Sequence, residues 1–250
     1  MKRYLINMDR STDRLEIMNK RLTELGLDFE RVSAVEGAKL SLAELSGVCS
    51  PNRKYPNKLT PGEIGCFLSH KKCWELLLAS EDDWALVIED DSSFAPTATD
   101  YFSTTEWIPS ECQLIQFSFT PDTTFSDKTI DLPNGSHLVR VKHSSPCGTY
   151  AYLISREAAK VALSYAAKVE GPIDNFLFGM FFEFPKRVFN WRLQECVVRV
   201  LDDVAPTITG RGSKNKKMNF YKLHPLRLWE KAVIAYCRTK MKKVKQVWTG

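Results

Sequence analysis

Glu89, Asp90 and Asp91 stand side by side at the end of the apolar run Trp84-Ala85-Leu86-Val87-Ile88. Such a run predicts a buried strand, and in an open α/β sheet ligands bind just beyond the carboxyl ends of the strands. Hard divalent cations such as Mn²⁺ or Mg²⁺ favour carboxylate oxygens. A cation there would grip a phosphate-bearing ligand and neutralise charge on a leaving oxygen. The same acids also suit a turn or a helix N-cap, where Asp and Ser side chains satisfy free backbone N–H groups.

Other segments offer companion chemistry. Asn7, Asp9, Arg10 and Arg14 fall where a first strand passes into a first helix, a place where a nucleotide meets backbone N–H groups and a favourable helix dipole; a solvated charged turn reads equally well. No glycine-rich phosphate loop is present, which argues against a dinucleotide cofactor or a P-loop hydrolase. Glu63, Cys66, His70 and Cys73 lie on successive turns of one helix face. Zinc would need four of them in tetrahedral array, so a packing face with His70 as a hydrogen-bonding group is the simpler reading. Gly148, Thr149 and Tyr150 put a glycine and two hydroxyls at the head of a strand, and a tyrosine ring suits a sugar face as well as a core. Asp174 follows Gly171-Pro172-Ile173 and fits either a helix cap or a base for an acceptor hydroxyl.

The elements that position these residues are well signalled. Tyr4-Leu5-Ile6 reads as a strand, Leu15, Met18, Leu22 and Leu25 share a helix face that Gly26 terminates, and Phe29 to Val35 reads as a second strand. Thr60-Pro61-Gly62-Glu63 combines an N-cap, a first-turn proline and a capping-box acid, starting a helix to about Ser80. Strand, helix, strand, helix, strand is the order of a parallel nucleotide-binding half-sheet. Beyond it, 113–119, 138–142, 149–154 and 196–201 read as strands, 155–168 as a helix, and 176–184 as helix or strand. Gly210-Arg211-Gly212-Ser213 reads as a linker, and Leu226, Trp229, Val233, Tyr236 and Cys237 set an amphipathic helix within 223–247.

The 250 residues carry a net charge of +5, yet from Lys214 onward eleven basic residues face one acid, Glu230, leaving 24 basic and 29 acidic residues before it. A basic tail on an acidic body points to an anionic partner such as a membrane surface or nucleic acid. Seven scattered cysteines suit reduced thiols. The early first strand leaves no room for a signal peptide, and no apolar stretch approaches the ~20 residues of a membrane span. The expectation is a cytoplasmic protein.

Taken in order, Ile6-Asn7-Met8-Asp9-Arg10 with Asp13-Arg14, Phe29-Glu30-Arg31-Val32 with Ala34-Val35-Glu36-Gly37, and Pro61-Gly62-Glu63-Ile64-Gly65-Cys66-Phe67-Leu68-Ser69-His70 resemble glycosyltransferase family 25. So do Leu86-Val87-Ile88-Glu89-Asp90-Asp91, Gly148-Thr149-Tyr150-Ala151-Tyr152-Leu153-Ile154-Ser155-Arg156 and Pro172-Ile173-Asp174. The family comprises the bacterial lipooligosaccharide and lipopolysaccharide galactosyltransferases and relatives of the collagen galactosyltransferases. The resemblance runs to about Leu177.

It implies a GT-A-like α/β domain with a mixed, mainly parallel central sheet; with the linker at 210–213 and the basic helical pattern beyond it, that domain is drawn over 1–213 and a basic amphipathic helical tail over 214–250. It also implies a UDP-sugar donor, Mn²⁺ or Mg²⁺, and inverting transfer of a hexose, galactose above all, to a lipooligosaccharide or lipopolysaccharide hydroxyl. Glu89-Asp90-Asp91 stands at the position of the Asp-X-Asp motif, with Glu in first place. By carry-over Asp91 and Asp90 hold the metal, and Asp174 is the base. Asn7, Asp9, Arg10, Arg14, His70, Glu89, Asp90, Gly148, Thr149 and Tyr150 meet the donor. The tail would dock on the cytoplasmic face of the inner membrane, where lipid-linked acceptors lie. A metal-dependent phosphoesterase shares the carboxylate cluster but lacks an acceptor. A nucleic-acid module would use the tail, yet the body has no interleaved aromatic and basic residues for base stacking, so no nucleic acid is expected.

Overall fold

A computed structural model describes residues 1–51, 58–119, 124–143, 148–179, 182–200 and 225–249. Strand β1 (Lys2–Asn7), helix α1 (Thr12–Glu24) and strand β2 (Glu30–Ser33) form a parallel βαβ unit. After α2 (Leu42–Val48), helix α3 (Pro61–Ala79) starts on the expected capping box: Thr60 Oγ1 accepts from the Glu63 N–H, and the Glu63 carboxylate accepts from the Thr60 N–H. Helix α3 leads to β3 (Trp84–Glu89), which pairs with β1 on the side opposite β2.

That choice of side fixes the site. With order β2-β1-β3, the two crossover helices lie on opposite faces of the sheet: Met18 and Leu22 of α1 share a core with Leu5, Leu86 and Ile88, whereas Phe67 and Trp74 of α3 share the other with Tyr4, Ala85 and Val87. The carboxyl ends of β1 and β3 therefore bound a topological switch point, where open α/β sheets take ligands.

The chain continues through β4 (Ser92–Phe94), α4 (Thr99–Phe102), β5 (Leu114–Gln116), β6 (Thr124–Asp131), β7 (His137–His143), β8 (Ala151–Ser155) and α5 (Arg156–Tyr165). Then come α6 (Ile173–Phe178), α7 (Phe184–Arg187), β9 (Asn190–Leu193), β10 (Glu195–Cys196) and β11 (Val198–Val200). Helix α8 (Pro225–Lys240), β12 (Lys242–Val244) and β13 (Val247–Trp248) complete it. The main sheet runs β12-β6-β7-β9-β5-β8-β3-β1-β2.

The sheet is mixed, as expected, but its parallel share is smaller. Only β1–β2, β1–β3 and β5–β9 are parallel; the other five pairings are antiparallel. Parallel neighbours need a long, usually helical crossover, and between Leu114 and Ser155 the described chain has no helix. Apolar residues 176–184, open between helix and strand, are helical at both ends, in α6 and α7. The helix expected to Lys168 stops at Tyr165.

The C-terminal segment also differs. The amphipathic helix stops at Lys240, and β12 adds to the sheet edge by pairing with β6, while Trp248 pairs with Cys196. Backbone groups at that edge need partners, and buried Cys237 and Val244 fasten the segment. Residues 225–249 are thus built onto the body, and the boundary drawn at 213/214 lies outside the described residues.

Candidate active site

Strand periodicity divides the three acids. Side chains alternate between faces along β3, so Glu89 follows Ala85 and Val87 to the α3 face, and Asp90, the next residue, turns to the α1 face. Asn7, in register beyond Ile6↔Glu89, lies on that same face as Leu5.

On the α1 face Asp90 is clamped. Its Oδ2 accepts from Asn7 Nδ2 at 2.8 Å, and its Oδ1 pairs with Arg14 Nη1 at 3.0 Å. Asn7, only 1% exposed, also donates to the Ser11 carbonyl, and its Oδ1 accepts from Arg31 Nε at 3.0 Å. Charge-assisted bonds of this kind are short and strong, and they fix Asp90 between β1 and α1.

On the α3 face Glu89 heads a buried relay. Tyr152 hydroxyl accepts from Trp74 Nε1–H at 3.0 Å and lies 3.0 Å from His70 Nδ1, while His70 Nε2 lies 3.1 Å from Glu89 Oε1. Burial pushes the Tyr152 phenol well above its ordinary value, so it keeps its proton. With Nδ1 accepting from it, the network assigns the imidazole proton to Nε2, donating to Glu89. Thr149 hydroxyl is a second donor to Glu89 Oε1. These bonds leave His70 wholly buried and oriented.

Between the two clamps stands Asp91. Burial, then the charges of Glu89 and Asp90, push its carboxyl up to about 7, with Arg14 opposing. Its Oδ1 is buried without a hydrogen-bond partner among the described residues. An orphaned carboxylate oxygen among like charges is the setting a divalent cation relieves, and an oxygen-only donor set suits Mn²⁺ or Mg²⁺. The residues present fit such an ion.

The loop before β8 closes the site from the side. Gly148 has φ +60, a backbone conformation that favours glycine, and a Cβ there would come within 2.6 Å of the Tyr150 ring, which would have to turn aside. The Tyr150 carbonyl accepts from the Glu89 N–H and from Ser92 Oγ, tying the loop to both ends of the acidic turn. Gly148, Thr149 and Tyr150 are thus brought to Glu89. At Gly65 a Cβ would come within 2.3 Å of the Val35 carbonyl, which explains a glycine at that point of α3.

Asp9 and Arg10 stand apart from the clamp. Asp9 pairs with Arg31 at 2.6 Å and accepts from Ser33, and these bonds hold its carboxyl below the ordinary range. Arg10 reaches outward to Glu36 at 3.6 Å with its side chain 60% exposed. Asp174 lies within the first turn of α6, where Pro172 holds the cap position; its carboxylate accepts from the Asn175 N–H at 2.8 Å. Phe176 of that helix packs on Phe67 and Trp74 of α3, which puts α6 on the His70 side.

The helix-borne quartet does not assemble. Glu63 turns back as the α3 cap, and Cys73 is buried in the core, which drives its thiol far up. Cys66 and His70 meet Glu89 instead, their ligand atoms all within 4.8 Å of one another.

Arg31, Ser92, Tyr152 and Trp74 are site residues that the sequence left unassigned. Another is Gln116, which donates to the Gly148 carbonyl at 3.3 Å and whose Oε1 takes 2.7 and 3.1 Å bonds from buried Arg192. A polar residue closing the apolar run Leu114-Ile115 is the signal that marks Gln116.

Comparison with known proteins gives the family. The model of "Glycosyltransferase family 25 (LPS biosynthesis protein)" matches residues 1–177. The Haemophilus influenzae lipooligosaccharide biosynthesis protein lic2B is 26% identical over 188 residues, covering 71% of this chain and 70% of its own. An Aedes aegypti glycosyltransferase 25 family member is 42% identical over 101 residues and human procollagen galactosyltransferase 2 is 37% identical over 97, covering 37% and 36% of this chain. The chain spans only 16% of the length of each of these two. The matched region holds β1 to α3, the acidic turn, the Gly148 loop and Asp174, and the chain belongs to glycosyltransferase family 25.

Proposed function

We propose that the protein is an inverting glycosyltransferase that moves galactose from UDP-galactose to a sugar hydroxyl of lipooligosaccharide or lipopolysaccharide, forming a β-linkage. The observation that carries the reading is the buried, unpartnered Asp91 Oδ1 beside Glu89 and Asp90 at the switch point. Mn²⁺ or Mg²⁺, held by Asp91 with Asp90 alongside, would neutralise the charge that UDP gains as it leaves. Asn7 and Arg14 hold Asp90 in place, and the Arg14 guanidinium adds positive charge beside the diphosphate. His70 and Thr149 orient Glu89 toward the donor, and Tyr150 offers a ring to the sugar. Asp174 takes the proton of the acceptor hydroxyl as the new bond forms.

Helix α8 and β12 support a further part of the reading, a cytoplasmic enzyme peripheral to the inner membrane. Lys231, Arg238, Lys240, Lys242, Lys243 and Lys245 are exposed on this segment, beside exposed Tyr236. Among the described residues no helix is long and apolar enough to cross a membrane.

The test is a donor screen that measures UDP release with and without Mn²⁺, using truncated lipooligosaccharide as acceptor. Release from UDP-galactose that needs both metal and acceptor is the expected result. Rapid release with no acceptor dependence would move the reading to a phosphoesterase.

A further inference from the structure

We propose that Cys66, His70 and Glu89 form a second metal site, distinct from the oxygen-lined position of Asp91, for a borderline-soft cation such as Zn²⁺, and that its occupation inhibits the enzyme. Cys66 and His70 are four residues apart on α3, so both face the same way, and Glu89 meets them from the end of β3. One ligand atom of each lies within 4.8 Å of the others, and His70 Nε2 stands 3.1 Å from Glu89 Oε1. Zinc bonds of about 2.0–2.3 Å in a tetrahedron put ligand atoms roughly 3.5 Å apart, so rotamer adjustment closes the cluster on an ion. Three protein ligands with a fourth position open is the arrangement of accessible zinc sites.

The surroundings are already built for it. A metal-bound imidazole donates its other N–H to a fixed acceptor, and Tyr152 hydroxyl stands 3.0 Å from Nδ1 with Trp74 holding it in place. On binding, the imidazole proton passes from Nε2 to Nδ1, the Tyr152 O–H rotates off Nδ1 so that its oxygen accepts from Nδ1–H as well as from Trp74, and the Cys66 thiol releases its proton to solvent. A thiolate, a carboxylate and a neutral imidazole leave the site uncharged around Zn²⁺. The soft thiolate selects zinc over Mn²⁺. Occupation draws Glu89 away from Thr149 and from the acidic turn, so donor binding suffers.

The inhibition rests on the proposed function; the metal binding does not, and the two are read separately. Full-length protein is titrated with Co²⁺ in place of zinc, in the absence of any sugar nucleotide, following the thiolate-to-cobalt charge-transfer absorption. One equivalent with this band is expected, lost in Cys66→Ser, retained in Cys49→Ser, and weakened about 10–100-fold in Tyr152→Phe. In a transfer assay with saturating Mn²⁺, zinc then inhibits the parent protein and Cys66→Ser relieves it, with uninhibited activity unchanged. A band that is absent from the parent, or undiminished in Cys66→Ser, overturns the site; a band without zinc inhibition overturns the inhibitory role alone.

Discussion

Asn7 Nδ2 donates to Asp90 Oδ2 at 2.8 Å across 83 residues of sequence, joining the carboxyl ends of β1 and β3. The bond spans the switch point itself. It commits Asp90 to the α1 side and leaves Asp91, with its unpartnered oxygen, as the acid free for a cation.

Asp91→Asn should abolish metal-dependent transfer in a protein that still folds. Its carboxyl, pushed up from 3.8 to about 7, binds a proton in the folded state that the unfolded chain has lost. Stability is therefore fully present below pH ~4 and falls as pH rises toward 7. Without metal, the Asn variant should be more stable than the parent at pH 8, by at most about 4 kcal/mol, and equal to it near pH 4. Urea unfolding at the two pH values reads this, and a parent as stable as the variant at pH 8 refutes the buried-charge account.

Arg14→Ala leaves Asp90 with Asn7 alone in a partly buried place. Breaking a fully buried pair costs about 3–5 kcal/mol, and with 11% and 13% of the side chains exposed the loss here should be about 2–3 kcal/mol. Thermal and urea unfolding should agree on it.

Tyr152→Phe removes one hydroxyl and strands two buried groups, Trp74 Nε1 and His70 Nδ1. Each unsatisfied group costs about 1–3 kcal/mol, so destabilisation of that order is expected. The imidazole, no longer oriented, should show a second ring-proton environment by NMR.

Asp174→Asn should bind UDP as the parent does and transfer poorly. UDP titration by calorimetry beside the transfer assay separates the two; loss of UDP binding would place Asp174 at the donor instead of the acceptor hydroxyl.

Neutralising Lys240, Lys242, Lys243 and Lys245 together should weaken binding to anionic vesicles by about 1 kcal/mol per charge, with no change on neutral vesicles. Replacement suits this segment better than deletion, because removing β12 would uncover the β6 edge.

Much of the fold was legible in the chain because its signals are local. The capping box at Thr60 and Glu63, the face of Leu15, Met18 and Leu22, and the apolar run into Glu89 each depend on residues a turn or a strand apart. Sequence also marked the acidic turn, the Gly148 loop and the junction after β1 as chemistry-bearing.

Sequence by itself determined which acids exist, that a strand ends on them, and which family pattern they follow. Only tertiary structure decided their division: alternation along β3 sends Glu89 to His70, and the β2-β1-β3 order brings Asn7 and Arg14 to Asp90. It likewise decided that β12 closes a sheet edge and that Glu89, rather than Glu63 or Cys73, completes the cluster with Cys66. Hydrogen bonds and charge pairs between distant residues follow from the order in which strands are laid side by side, and local periodicity carries no record of that order.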